Sequence, residues 1–213
     1  NVVGTVHHGL PENLLPARHV AGGGFLAFVG RISPEKRLDR AIEIARRVGL
    51  PLKIAAKVDR VDREYFEAVI DPLMHGPGVE FLGEISDSDK AEFLGDAAAL
   101  LFPIDWPEPF GLAMIEAMAN GTPVVAFRCG AVPEVVDDGV TGLVVDSVDA
   151  AVAAVPRVLE FSRLRIRREF ENRFCAERMA RDYLAVYEGL CHGRAPRRHR
   201  PKWAEADDMA RAV

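Results

Sequence analysis

Two glutamates, Glu108 and Glu116, are the residues whose spacing most directly suggests chemistry, within the stretch PEPFGLAMIEAMANGTPVV. Glu108 precedes a tight turn, and Glu116 falls in the second turn of a helix predicted over about residues 111–120. The rise of a helix puts the two carboxylates ~10 Å apart, which is long for a general acid–base pair acting on one bond. The spacing is better suited to two carboxylates that bind different parts of one extended polar ligand.

Glu116 stands among apolar neighbours on a helix that is expected to pack against a sheet. A carboxylate in such surroundings is costly unless it is hydrogen-bonded, and ligand hydroxyls are natural donors to it. A surface position on an amphipathic helix explains Glu116 equally well, so both interpretations stay open.

The turn between the glutamates offers a second type of contact. Gly111 has no side chain where a ligand could approach the backbone, and the amides of Leu112 and Ala113 could donate to a phosphate. The alternative is a plain strand-to-helix turn. Phe110 is expected to be a core residue in either case.

Two cations follow the first predicted strand. Gly30 and Arg31 come at its end, and Lys36 lies on the first turn of the next helix, with Ser33 as a candidate N-cap. A helix N-terminus favours anions, and an Arg fork beside a Lys point charge suits a diphosphate. A solvated helix start is preferred for Lys36 alone, but the combination favours a phosphate site.

Other candidates carry weaker signals. Lys57 ends the second predicted strand and Gly83 the third, while the adjacent His7 and His8 favour an ordinary loop over a metal or catalytic site. Gly22–Gly24 precede the first strand, so no GxGxxG motif follows it, which disfavours a nicotinamide-dinucleotide enzyme. HExxH, Walker A and GxSxG patterns do not occur in the sequence.

The elements that must position these residues alternate between strands and helices. Three helices in series follow the last strand, and we expect all three to cover the domain. This alternation predicts an α/β fold, a Rossmann-like doubly wound parallel sheet with extra C-terminal helices, in which ligands bind at the carboxyl ends of the strands. The apolar strands, expected to be buried on both faces, are predicted at 25–30, 51–57, 79–83, 98–103, 122–127 and the end of 132–146.

Composition and charge limit the classes of function. A net charge of −5 gives no support to broad nucleic-acid binding, and no apolar run is long enough to span a bilayer. The three cysteines lack metal-ligand spacing and indicate free thiols in a reducing, cytoplasmic compartment. We expect residues 1–21 to be an interdomain hinge, 22–191 one domain, and 192–213 a polar, disordered tail whose basic cluster could touch an anionic surface.

Three stretches together resemble a known family: VGRISPEKRLDRAI, VEFLGEISDSDKAEFLGDAAALLFP and EPFGLAMIEAMANGTPVVAFRCGAVPEVVDDGVTGLVV. They are similar to the C-terminal, donor-binding domain of family 4 retaining glycosyltransferases of the GT-B fold. The resemblance covers roughly residues 5–191, and the E-x7-E motif in its EPFG frame is the most specific element.

The resemblance implies a role for each matching residue. Arg31 and Lys36 would hold the donor diphosphate and stabilise the departing nucleotide without a metal, Glu108 would contact the donor sugar, and Glu116 would bind the ribose. Gly83 and Ile85 would border the base, Lys90 would also reach the nucleotide, and Lys57 is a weaker candidate. The full donor set expected from the resemblance is Gly30, Arg31, Lys36, Lys57, Gly83, Ile85, Lys90, Glu108, Phe110, Gly111, Leu112, Ala113 and Glu116.

The resemblance also implies partners. We expect a hexose donor linked to UDP in preference to GDP, no further cofactor, no metal, no nucleic acid, and an unidentified sugar, lipid or small-molecule acceptor. Peripheral membrane contact stays open. The acceptor-binding N-terminal half of a GT-B enzyme is not in this sequence, so a nucleotide-sugar-binding module without transfer activity is one alternative. A nucleotide-sugar epimerase of the GT-B type is a second, less favoured because such epimerases lack the EPFG frame.

Overall fold

The computed structural model describes residues 3–11 and 24–192. The predicted hinge over residues 1–21 falls only partly in these ranges, and the predicted tail lies, apart from His192, outside the described residues. Both boundaries stay predictions.

The described residues form a six-stranded sheet in which every strand pairs in parallel, in the order β3-β2-β1-β4-β5-β6. The order reverses between β1 and β4, which is the switch point where parallel sheets open a crevice at the carboxyl ends of the strands. The predicted fold class is confirmed. The strands are β1 (Leu26–Arg31), β2 (Leu52–Lys57), β3 (Val79–Gly83), β4 (Ala99–Phe102), β5 (Val124–Phe127) and β6 (Gly142–Val145).

Helices cover both faces of the sheet. Alternate residues of β1 enter opposite cores: Leu26 and Phe28 lie in one buried cluster, and Ala27 lies in the other. This alternation follows from the period of two in a strand, and it makes an apolar run necessary in a central strand. The helices are α1 (Leu38–Val48), α2 (Arg63–Tyr65), α3 (Asp71–Met74), α4 (Asp87–Asp96), α5 (Leu112–Ala119), α6 (Val132–Val135), α7 (Val148–Val158), α8 (Arg163–Phe174) and α9 (Ala176–Cys191).

The edge strand β3 differs from the expectation that every strand is buried on both faces. Phe81 and Leu82 are 38% and 40% exposed. Since β3 pairs only with β2, the surrounding helices do not cover it as they cover the central strands.

The predicted first helix is wrong at its start. Residues Pro34–Lys36 form a separate 3₁₀ turn, Arg37 takes a left-handed conformation with φ 52°, and α1 begins only at Leu38. Ser33 makes no side-chain capping bond. Lys36 therefore lies on a short turn ahead of α1 and not in the first turn of a continuous helix.

The C-terminal helices pack in different ways. Helix α7 packs on α1, β5 and β6, and α8 packs on α5, as expected for a cover over the sheet. Helix α9 buries none of its residues, so the expectation that all three helices cover the domain is wrong for α9. It lies beside the segment 3–11, where Leu10 pairs with Cys175. Within the two described ranges, no helix has the length and apolar character needed to cross a membrane.

Candidate active site

A largely buried ion pair lies at the switch point between β1 and β4. The Lys36 ammonium donates to Oε2 of Glu108, and the indole Nε1 of Trp106 donates to the same oxygen at 3.0 Å. Only 20% of the Lys36 side chain and 12% of the Glu108 side chain are exposed. The ammonium also lies 5.1 Å from the Trp106 ring centroid and 5.8 Å from that of Phe102, which adds cation–π attraction.

The backbone around Glu108 is held by the loop that follows β5. The Ala131 amide donates to the Glu108 carbonyl at 2.9 Å. Gly130 has φ 55°, and a Cβ there would lie 2.3 Å from the Glu108 nitrogen. Only glycine allows this approach, so Gly130 sets the position of Glu108.

Helix α5 begins directly after Gly111, as predicted. Gly111 has φ 83°, and a Cβ there would lie 2.5 Å from Cε of Met114 and 3.2 Å from Phe102. The first amides of the helix, those of Leu112 and Ala113, have no carbonyl acceptor within the helix and form a site that favours an anion. Phe110 is 8% exposed, which confirms it as a core residue.

Glu116, on α5, forms a second lysine–glutamate pair with Lys90, on α4. The Lys90 ammonium lies 3.0 Å from Glu116 and 3.2 Å from Asp87. Burial lowers the pKa of Lys90, but the charge of Glu116 and hydrogen bonds to Glu116 and Asp87 outweigh it and raise that pKa above its usual value. With 16% of its side chain exposed, Glu116 is not the solvated surface residue of the alternative interpretation.

Arg31 lies in a more open, acid-rich cluster. Its guanidinium reaches Glu35 at 2.8 Å, Asp62 at 3.5 Å and Asp59 at 3.6 Å, and 45% of its side chain is exposed. Lys57, which is opposite Arg31 in the sheet register, pairs with Asp59 at 3.1 Å. The hydrogen bond to Glu35, together with the nearby carboxylates, raises the pKa of Arg31 against the smaller effect of desolvation.

The remaining predicted residues lie at or just after the carboxyl ends of β1 and β3. Gly30 lies in β1 one residue before Arg31, and Gly83 ends β3. Ile85 is half-buried and packs against the core cluster that contains Phe110. The structure therefore groups the predicted residues into a Lys36–Glu108 pair, a Lys90–Glu116 pair and an Arg31–Lys57 cluster.

Sequence reasoning missed several residues that shape the site. Trp106 donates a hydrogen bond to the Glu108 carboxylate and so holds it in place. Its position in the sequence, two residues before Glu108 and after a buried strand, could have indicated this role. His7 pairs with Glu134 at 3.2 Å, and the His8 ring meets Phe110 edge-on at 4.9 Å. The histidine pair thus packs beside the site, although it lies in a loop as expected.

The sheet order and the groups at its switch point define a Rossmann-like α/β domain with a polar, charge-paired crevice. Residues 17–173 match the family model described as "Glycosyl transferases group 1". The chain belongs to this family, which confirms the resemblance found in its sequence.

Individual relatives support the same family. The chain is 31% identical over 156 residues to a GDP-mannose-dependent alpha-mannosyltransferase of Mycolicibacterium smegmatis, covering 73% of this chain and 39% of that protein. The crystal structure of AviGT4, a glycosyltransferase involved in avilamycin A biosynthesis, matches with TM-score 0.72 and 26% identity over 89% of this chain and 58% of AviGT4. HepE of Anabaena, solved with UDP and glucose, shares the fold with TM-score 0.70 and 19% identity over 85% of this chain and 55% of HepE. The chain thus spans about half the length of these proteins.

Proposed function

We propose that this chain is the donor-binding domain of a retaining glycosyltransferase that transfers a hexose from a nucleoside diphosphate sugar. The observation that carries the proposal is the Lys36–Glu108 pair at the switch point, near the first amides of α5, which have no acceptor within the helix. A cation, a carboxylate and a helix N-terminus match the anionic diphosphate and the hydroxyl-rich sugar of such a donor.

In this proposal the two lysine–glutamate pairs bind the two ends of the donor. Glu108 accepts hydrogen bonds from sugar hydroxyls, and Lys36 moves from Glu108 to the diphosphate when the donor binds. Glu116 accepts from the ribose hydroxyls, with Lys90 near the nucleotide. Gly83 and Ile85 border the base, since Ile85 offers a half-buried apolar side chain on the β3 side of the crevice.

The reaction breaks the bond between the anomeric carbon and the diphosphate oxygen, and the electron pair leaves with the diphosphate. The acceptor hydroxyl oxygen forms the new bond to the anomeric carbon, and its proton passes to the departing diphosphate oxygen. Lys36, Arg31 and the amides of Leu112 and Ala113 would stabilise the negative charge on the leaving group, which is the role that a metal ion would otherwise serve. Retention of configuration and metal independence are parts of this proposal, supported by the family's sequence motifs.

Uridine is the base we propose. HepE, which shares the fold, was solved with UDP and glucose, whereas the similar mannosyltransferase is named as GDP-mannose-dependent. Titration with UDP and GDP decides between the two nucleotides.

The acceptor, a sugar, lipid or small molecule, would bind mainly to a second domain. The matched segments cover only 39% of the mannosyltransferase and 58% of AviGT4, which supports an N-terminal acceptor domain in the complete protein. The free cysteines Cys129, Cys175 and Cys191 support a reducing, cytoplasmic setting.

Transfer by the complete protein tests the proposal. Glu108→Ala and Glu116→Ala should each reduce sugar transfer from the donor, while Glu43→Ala, which removes an exposed carboxylate on α1, should leave transfer unchanged. Unchanged transfer in both site variants would remove the proposal. Donor binding without transfer in the complete wild-type protein would favour the alternative of a nucleotide-sugar-binding module.

A further inference from the structure

We propose that Arg37 and Asp105 form a clamp that positions Lys36 against Glu108, so that Asp105 is a positioning residue for the reaction. The inference rests on the proposed function for its catalytic consequence. The geometry of the clamp itself can be tested without any ligand.

The first observation is the backbone of Arg37. With φ 52°, Arg37 is the one non-glycine residue of positive φ within residues 3–11 and 24–192. This conformation costs a residue with a Cβ roughly 1–2 kcal/mol, so the surrounding contacts must hold it. It ends the 3₁₀ turn directly after Lys36 and turns the chain into α1.

The second observation is what holds Arg37. Its guanidinium donates to Asp105 at 2.8 Å and to Asp39 at 2.8 Å. The same Asp105 oxygen accepts from Arg40 of α1 at 2.9 Å. Asp105 therefore links Arg37, whose backbone is left-handed, to the first turn of α1.

The third observation is a backbone bond on the other side of Lys36. The Asp105 amide donates to the Glu35 carbonyl at 2.9 Å. Both neighbours of Lys36 are thus bound to Asp105, one through the main chain and one through the side chain. Asp105 is three residues before Glu108 in the same loop, so the clamp fixes the Lys36 turn relative to the segment that carries its partner.

Stability does not account for this arrangement. The Asp105 side chain is 55% exposed, against 29% for Arg37 and 21% for Arg40, and ion pairs with so exposed a partner contribute little to folding. A strained residue held by partly exposed ion pairs beside a largely buried lysine is better explained by positioning. The clamp should therefore affect the Lys36 site much more than the stability of the domain.

Chemical labelling of lysines in the chain tests the geometry without a ligand. Asp105→Ala should release Lys36 and raise its rate of acetylation by acetic anhydride several-fold relative to Lys53, whose pair with Glu80 lies away from the clamp. The matched control is Asp149→Ala, which breaks an exposed pair with Arg47 of α1 and should leave the ratio unchanged.

Two substitutions of Arg37 distinguish the effect of its backbone conformation from the effect of its side chain. Glycine adopts the left-handed conformation freely and alanine does not, so the Lys36 labelling rate should rise more in Arg37→Ala than in Arg37→Gly. Equal rates in these two variants and the wild type, or equal effects of Asp105→Ala and Asp149→Ala, would overturn the clamp.

The catalytic consequence is measured with the complete protein. Asp105→Ala should lower kcat on the order of 10- to 100-fold with a smaller change in donor KM, because the misplaced group acts on the leaving diphosphate. Asp105→Asn, which keeps a hydrogen-bond acceptor, should restore part of kcat. If Asp105→Ala raises the rate of Lys36 labelling but leaves kcat unchanged, Asp105 is not a positioning residue for the reaction. If the wild-type complete protein is itself inactive, the proposed function is contradicted, and the labelling experiment alone decides whether the clamp exists.

Discussion

The two cations that the sequence places together, Lys36 and Arg31, lie in contrasting surroundings. Lys36 is largely buried, pairs with Glu108, and lies near the rings of Trp106 and Phe102. Arg31 is half-exposed and faces the three carboxylates of Glu35, Asp59 and Asp62. Arg31 ends β1 and Lys36 follows it, and Glu35 connects their surroundings, since its side chain accepts from Arg31 and its carbonyl accepts from the Asp105 amide.

The two cations differ in how strongly each can attract a bound phosphate. Charges interact more strongly where water is excluded, so a phosphate beside Lys36 gains more than one beside Arg31. Three carboxylates near Arg31 also offset its charge and repel an anion. We infer that Lys36 contributes more to the departing diphosphate, with Arg31 in a supporting role.

We expect the largest loss of activity from removing Lys36, the more buried of the two cations. Lys36→Ala should lower kcat for transfer by about 10²–10³-fold, the cost typical of removing one preorganised group that stabilises developing charge. Arg31→Ala should cost about tenfold less, because its charge is already offset. Rate measurements on the complete protein with both variants check the ranking, and an equal or reversed ranking would contradict the comparison.

The Lys36 site can also be disturbed without changing any charge. Gly130→Ala should lower the free energy of unfolding by ~2–4 kcal/mol, because its Cβ would overlap the Glu108 backbone. The matched control is Gly139→Ala, where φ is 80° but no atom lies within 4 Å of the added Cβ. That variant should cost only ~1–2 kcal/mol.

Urea denaturation of both glycine variants measures this difference. If Gly130→Ala is no more destabilised than Gly139→Ala, Gly130 does not set the position of Glu108.

The acidic surroundings of Arg31 can be weakened directly. Asp59→Asn removes one carboxylate that faces both Arg31 and Lys57, so the affinity of the chain for UDP should rise about two- to fivefold, in keeping with an exposed ion pair. Asp149→Asn, a surface change away from the crevice, serves as the control. Weaker UDP binding in Asp59→Asn would show that the carboxylate organises Arg31 and does not merely offset its charge.

The smallest effect is expected at Lys57. Its side chain is 56% exposed and pairs with Asp59, and salt screens such a charge effectively. Lys57→Ala should therefore change UDP affinity by less than about twofold. Calorimetry checks this value, and a tenfold loss would place Lys57 among the principal phosphate contacts.

Local signals in the sequence were sufficient for the fold. Apolar strands, helix starts and the length of the connections are properties of neighbouring residues, so the six strands, α5 and the buried Phe110 could be predicted. The glutamate spacing likewise indicated two separate contacts, and the structure gives each glutamate its own lysine partner.

Long-range contacts explain what could not be predicted. The break at Arg37 depends on Asp105, 68 positions along the chain, and no helix propensity contains that information. The position of Glu108 depends on Gly130, which follows β5. The His8 ring contacts Phe110, which lies about 100 residues further along the chain. Such pairings arise only when the sheet brings separate loops to one edge.

Calorimetric titration of the chain with UDP, GDP and their sugars tests the central claim most directly. The account predicts that a nucleoside diphosphate, UDP in preference to GDP, binds the wild-type chain, and that Lys36→Ala weakens its binding more than Arg31→Ala does. If none of these ligands binds, or if Lys36→Ala binds as tightly as the wild type, the assignment of the Lys36–Glu108 crevice as the donor site is wrong.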